Sequence, residues 1–84
     1  MKIHTESGST YELIDNLCRK HNAEGTVIDT FKVYFMKAVP TSGISTMEEV
    51  FDLPTSEPEV GKRLYLGGRD SWWLSTEVVR IEKD

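Results

Sequence analysis

The side chains of this chain that could do chemistry are few and badly spaced for it. Its 84 residues include one cysteine, Cys18, and two histidines, His4 and His21. The run Cys18-Arg19-Lys20-His21 places a thiol near an imidazole, but a metal site needs three or four ligands and only His4 is left to add. A Cys–His nucleophile pair is built from distant segments, not from near neighbours. No nucleophile, base and orienting group can be assembled from these residues. The expectation is therefore no catalytic residue, no metal and no cofactor. No activating motif surrounds Cys18, which reads as a small apolar residue, buried or half-buried. Gly61-Lys62-Arg63 and Gly67-Gly68-Arg69-Asp70 join glycine to base. A phosphate loop needs consecutive backbone amides ahead of a helix, and strands follow here, so Gly67-Gly68 reads as a hairpin turn.

The elements that would position these residues are short. Ser7-Gly8-Ser9, Glu24-Gly25, Thr41-Ser42-Gly43, Pro54 to Pro58 and Gly67 to Asp70 all carry turn chemistry. Segments of strand length lie between them, rich in β-branched and aromatic residues. Lys2 to Glu6 and Thr10 to Ile14 form a hairpin in which Gly8 supplies a positive φ. Asp15 to Glu24 is either a short strand around Leu17 to Lys20 or an irregular loop. Thr26 to Val39 is the strongest strand, with Phe31, Val33 and Phe35 on one apolar face. Met47 to Leu53 fits a helical turn or a strand, the strand slightly better. Lys62 to Leu66 is a strand with Leu64 and Leu66 inward. Trp72 to Leu74, a polar turn, and Glu77 to Lys83 complete the chain. The fold class is mostly β: one domain over residues 1–84, a small SH3-like antiparallel barrel of five to six short strands, since closure removes exposed edges. The alternatives are an OB-like barrel or a rolled β-meander, with or without one short helix.

If Phe31, Val33 and Phe35 fill the core, Tyr34 and Met36 point out. Tyr65 points out between Leu64 and Leu66. Trp72 and Trp73 are adjacent, so in a strand they face opposite sides. Tyr34, Met36, Tyr65 and one tryptophan could then gather into an apolar patch bordered by Arg63 and Arg69. These residue types are enriched at protein interfaces. Two bland arrangements would consume the same residues: a second partial core, or a long loop folded over the patch.

Charge narrows the partner. The net charge is −4, and no basic stripe of the kind that displaces counterions from nucleic acid is present. From Ala38 to Gly61 there is no Lys or Arg, while Glu48, Glu49, Asp52, Glu57 and Glu59 fall in that stretch. Aromatic rings with Arg63 or Arg69 would still suit a mononucleotide. No apolar run reaches the roughly 18 residues that span a bilayer. No apolar segment follows Lys2 as in a signal peptide, so a cytoplasmic location is expected and no membrane partner.

Thr5-Glu6-Ser7-Gly8-Ser9-Thr10-Tyr11-Glu12-Leu13, with Val60-Gly61-Lys62-Arg63-Leu64 and Ser75-Thr76-Glu77-Val78-Val79-Arg80-Ile81, resembles a loose class of short, uncharacterised proteins of bacteria and their phages. These begin with a Ser-Gly-Ser-x-Tyr-Glu hairpin and close with a Ser/Thr-x-Val strand. The resemblance covers about a third of the chain and carries no functional residue. It implies a small β-barrel and a phage or mobile-element setting. The function expected is a non-catalytic protein-binding module acting on a host protein, or self-associating, through Tyr34, Met36, Tyr65, Trp72, Trp73, Arg63 and Arg69. The alternatives are an oligomeric binder of a small nucleotide-like ligand and a structural component of an assembly.

Overall fold

A computed structural model describes residues 1–84. The chain opens with a hairpin of β1 (Lys2–Thr5) and β2 (Thr10–Ile14). Gly8, at φ 92°, makes the turn, as its lack of a Cβ permits, and the Thr5 hydroxyl donates to Ser9 O at 2.7 Å across its base. A tight turn at Asp15-Asn16 leads into β3 (Leu17–His21), with Asp15 at φ 55°. That settles the ambiguous segment as a strand. In the next turn the Asn22 side-chain oxygen accepts from the amides of Glu24 and Thr26, and β4 (Val27–Lys32) follows. The rest is β5 (Phe35–Val39), helix α1 (Met47–Asp52), β6 (Arg63–Gly67) and β7 (Trp72–Glu82).

All seven strands lie in one antiparallel sheet, in the order β4-β3-β2-β1-β7-β6-β5. The two edge strands are joined by only Val33 and Tyr34. Six flat inter-strand spacings would hold the edges about 29 Å apart, whereas the three Cα steps from Lys32 to Phe35 span at most about 11 Å. The sheet must therefore roll. Two successive amides mark the crossing: Val33 N–H donates to Asn16 O on one side, and Tyr34 N–H to Gly67 O on the other. The mostly β expectation holds. In detail there are seven strands instead of five or six, and the roll is not closed.

Two expected elements differ. Thr26 to Val39 is two strands, because the chain changes edge at Val33-Tyr34. The expected turn near Ser75 is instead an irregularity inside one long strand. The first half of β7 pairs with β6 and the second half with β1, and the β6 register shifts between Arg63 and Tyr65. The Leu64 N–H at this shift donates to Ser75 Oγ at 2.8 Å, so a buried amide keeps a partner.

The interior of the roll holds Ile3, Tyr11, Leu13, Cys18, Leu64, Leu66 and Val78, with Phe31, Met36 and Trp73 packed against them. A second core forms on the outside of β5–β6–β7, where Val39, Val50 and Tyr65 meet Ile44, Met47, Leu53 and Leu74. Met47 to Asp52 is a helix where a strand was slightly favoured. The Thr46 hydroxyl accepts from the Glu49 amide, and the Glu49 carboxylate in turn takes the Ser45 amide and hydroxyl. This N-terminal cap outweighs the strand preference of Val50 and Phe51. The long segment then returns along the free edge of β5: Ser56 N–H donates to Met36 O, and Ala38 N–H donates to Ser56 Oγ. That edge is covered against pairing with another chain. No helix is long and apolar enough to cross a membrane.

Candidate functional site

The step at Val33-Tyr34 resets which side chains face out. Along β5, Met36 points into the interior core and Phe35 points out, the reverse of a continuous alternation from Phe31. The outer face of β5–β6–β7 therefore carries two rows. One is Phe35, Gly67 and Trp72; the next is Lys37, Tyr65 and Leu74. Helix α1 covers the second row and stops short of the first.

Four rings meet where the cover ends. Phe35 and Tyr65 lie 6.1 Å apart at 14°, and Tyr65 and Trp72 lie 6.2 Å apart at 23°. These three are nearly parallel and make a floor. Phe51, from the last turn of α1, stands on it at 73° to Tyr65 and 78° to Trp72. Such edge-to-face contacts suit the quadrupoles of the rings. The result is a corner with a flat aromatic base and one aromatic wall. Tyr65 is buried at its centre, but Phe35, Phe51 and Trp72 keep 41%, 47% and 46% of their surface exposed. Burial pushes the Tyr65 phenol up from its usual range.

Lys37 holds the corner together from beneath. Its side chain is buried, and its ammonium donates to Val50 O at 3.2 Å and to Phe51 O. Carbonyls at the end of a helix lack intrahelical partners and attract a cation. The same ammonium lies 5.6 Å from the centre of the Tyr65 ring and 6.0 Å from that of Phe35. One lysine thus ties the helix carrying Phe51 to the strands carrying the floor.

The expected site residues separate into three groups. Trp72 is in the corner and exposed, and Tyr34 is exposed beside it with Lys32 5.3 Å above its ring. Tyr65 is in the corner but buried, because α1 folds over it. Met36 and Trp73 are partly buried and pack on the interior core, with Trp73 stacked on Phe31 and Lys20 4.0 Å over its indole, and Met36 also lines a groove beside the corner. Arg63 sits four residues along β6 from Gly67, about 13 Å away, and its Nε is committed to Ser75 O at 2.8 Å. It does not border the patch. Arg69 is exposed in the β6–β7 turn, next to Asp70 and near Trp72. Phe35 and Phe51 were missed, the first because of the edge change and the second because α1 was read as a strand.

A groove of about 160 Å³ adjoins the corner, where the two sheet edges fail to close. Leu13, Val33 and Tyr34 line it, and Phe35 is a wall shared by both. Asp15 and Asn16, of the β2–β3 turn, complete its lining with Met36.

The reactive groups lie elsewhere. Cys18 is fully buried, and burial, with Asp29 adding to it, pushes its thiol up to about 12. Its side chain enters the core while His21 is on the opposite face of β3, so they form no pair. His4 is half-buried on the outer face of β1, facing Glu82 and Thr10. That contact holds the Glu82 carboxyl below its usual value. No group of three or more His, Cys, Asp or Glu side chains converges as a metal site requires. Comparison with protein-family models, with curated proteins and with solved structures finds no match to this chain.

Proposed function

We propose that this chain is a non-catalytic binding module that docks a protein partner on the corner formed by Phe35, Phe51 and Trp72 over Tyr65. One observation carries the reading: three large rings, Phe35, Phe51 and Trp72, stay about half-exposed around the buried Tyr65. Rigid aromatic anchors lose little entropy on binding and dominate interface energies. Contiguous exposed apolar surface on a small domain marks a contact site. The groove beside Phe35 extends the surface toward Leu13 and Val33. A phage or mobile-element protein acting on a host protein fits this reading, and so does self-association.

The nucleotide-like reading loses support because Arg63, one of its two phosphate-holding candidates, is bound to a backbone carbonyl away from the rings. The test compares the native chain with Trp72→Ala and Phe51→Ala in affinity capture and in sedimentation. Loss of a specific partner, or of dimer, in folded variants supports the reading. Unchanged capture and unchanged sedimentation contradict it.

A further inference from the structure

We infer that the outer face of β1–β2–β3 carries a second, separate site, a recess for a small tetrahedral oxyanion such as phosphate or the phosphate group of an ester. In register across the sheet, Arg80, His4, Thr10 and His21 stand in one row. In the next row stand Glu82, Lys2, Glu12 and Arg19. Two turns rise above the first row and touch, since a Cβ on Gly8 would come within 3.0 Å of Ala23 Cβ. Beneath them lies a recess of about 220 Å³ with Thr10 at its floor, Lys2, His4 and His21 around it, and a single apolar residue in its lining.

The donors point to an anion. The Asn22 oxygen is used by the Glu24 and Thr26 amides, which leaves its NH₂ group for the recess. Lys2 adds an ammonium and Thr10 a hydroxyl. The carboxylates lie in the row behind, each against an imidazole: Glu82 on His4 Nε2, and Glu12 3.6 Å from His21 Nε2. Within these two rows, Lys2, Arg19 and Arg80 exceed Glu12 and Glu82 by one charge.

Both imidazoles are arranged so that a proton changes what they do. His21 Nδ1 donates to Gly25 O at 3.3 Å, so Nε2 becomes a donor toward Glu12 only on protonation. From the other strand beside it, β4 places Val27 opposite His21. His4 Nε2 faces Glu82, which needs a proton there, and also Arg80 Nη2 at 3.2 Å, which needs a lone pair. Its Nδ1 lies 3.4 Å from the Thr10 hydroxyl. The ring nitrogens already have partners, which suits an anion held by the N–H groups of Lys2 and Asn22 better than a metal held by imidazole lone pairs.

The test is NMR titration of the full chain with sodium sulfate, with ionic strength held by chloride. Saturable shifts confined to Lys2, His4, Thr10, His21 and Asn22 are expected, and lost in the surface variants His21→Gln and Lys2→Met. Shifts that do not saturate, or that survive both substitutions in folded protein, overturn the site. Parallel titrations with inorganic phosphate and phenyl phosphate identify the source: tighter binding of the ester indicates a phosphate carried on a larger molecule, and equal or weaker binding indicates the free anion. No saturable binding of any of the three anions also overturns the site.

Discussion

The ring of Phe35 lies directly on the α-carbon of Gly67, its partner across β5 and β6, so closely that any β-carbon at Gly67 would collide with the ring edge. Glycine within a strand often marks a close approach, and an aromatic residue laid across it restores the buried surface that glycine lacks. This pair places Phe35 flat beside Tyr65 and so creates the floor of the corner.

Gly67→Ala should therefore expel the Phe35 ring and cost about 1–3 kcal/mol of stability, as overpacking does. Combined with Phe35→Ala the cost should fall, because the colliding partner is gone. Urea unfolding of the two single variants and the double variant gives the coupling directly. Additive losses would show that the two residues do not share this contact.

Lys37→Met should keep the stem of the side chain but strand the carbonyl of Phe51, leaving the Val50 carbonyl with the Leu53 amide alone. A loss of about 1–3 kcal/mol is expected, concentrated in α1. Hydrogen exchange should quicken at Val50 and Leu53 more than in β1 or β2. Uniform quickening would mean that the lysine supports the whole sheet and not the helix that carries Phe51.

Ser75→Ala removes the hydroxyl that takes the Leu64 amide at the register shift. A buried amide without a partner costs about 1–3 kcal/mol. The urea midpoint should drop with an unchanged slope. A loss under about 0.5 kcal/mol would show that backbone adjustment or water replaces the hydroxyl.

Alkaline pH should weaken the fold by deprotonation of Cys18 and Tyr11. Burial raises the thiol from 9.0 to about 12 and the phenol from 10.0 to about 12. Between the unfolded and folded values the folded chain binds more protons, so stability is intact below pH 9 and falls from there toward 12. Cys18→Ala should remove the earlier part of that fall in a pH series of unfolding curves. A thiol reagent at pH 8 should label Cys18 only as fast as the chain opens.

These outcomes depend unevenly on what could be read in the residues. The β1–β2 hairpin was legible because Gly8 is the one residue there suited to the positive φ of its turn. The burial of Cys18 was legible from its lack of activating neighbours. The opposite facing of Trp72 and Trp73 followed from strand geometry, but which one faced out did not, because that depends on the register of β7 against β6. The edge change at Val33-Tyr34 left no turn residue to mark it: the roll of the sheet is a property of all seven strands, and a local alternation runs through it unbroken. That hid Phe35. The helix has a signal in Thr46-Met47-Glu48-Glu49, a capping pattern that the strand preference of Val50, Phe51 and Leu53 masks. Tyr65 was placed on the correct face, but its cover of α1 comes from a segment distant in sequence.

The two tryptophans give the most direct test of the central claim. Trp73 belongs to the interior core, and Trp73→Ala should cost about 3 kcal/mol through lost packing. Trp72→Ala should leave the amide spectrum and unfolding midpoint close to native, since its ring is half-exposed. The decisive measurement is affinity capture from bacterial lysate, read by mass spectrometry, with the native chain beside the Trp72→Ala/Phe51→Ala double variant. The account predicts one protein retained by the native chain and weakened by more than about thirtyfold in a folded variant, the scale of a true anchor residue. Equal retention by both chains, or no protein retained by either together with no native dimer that the double variant loses in sedimentation, would contradict it.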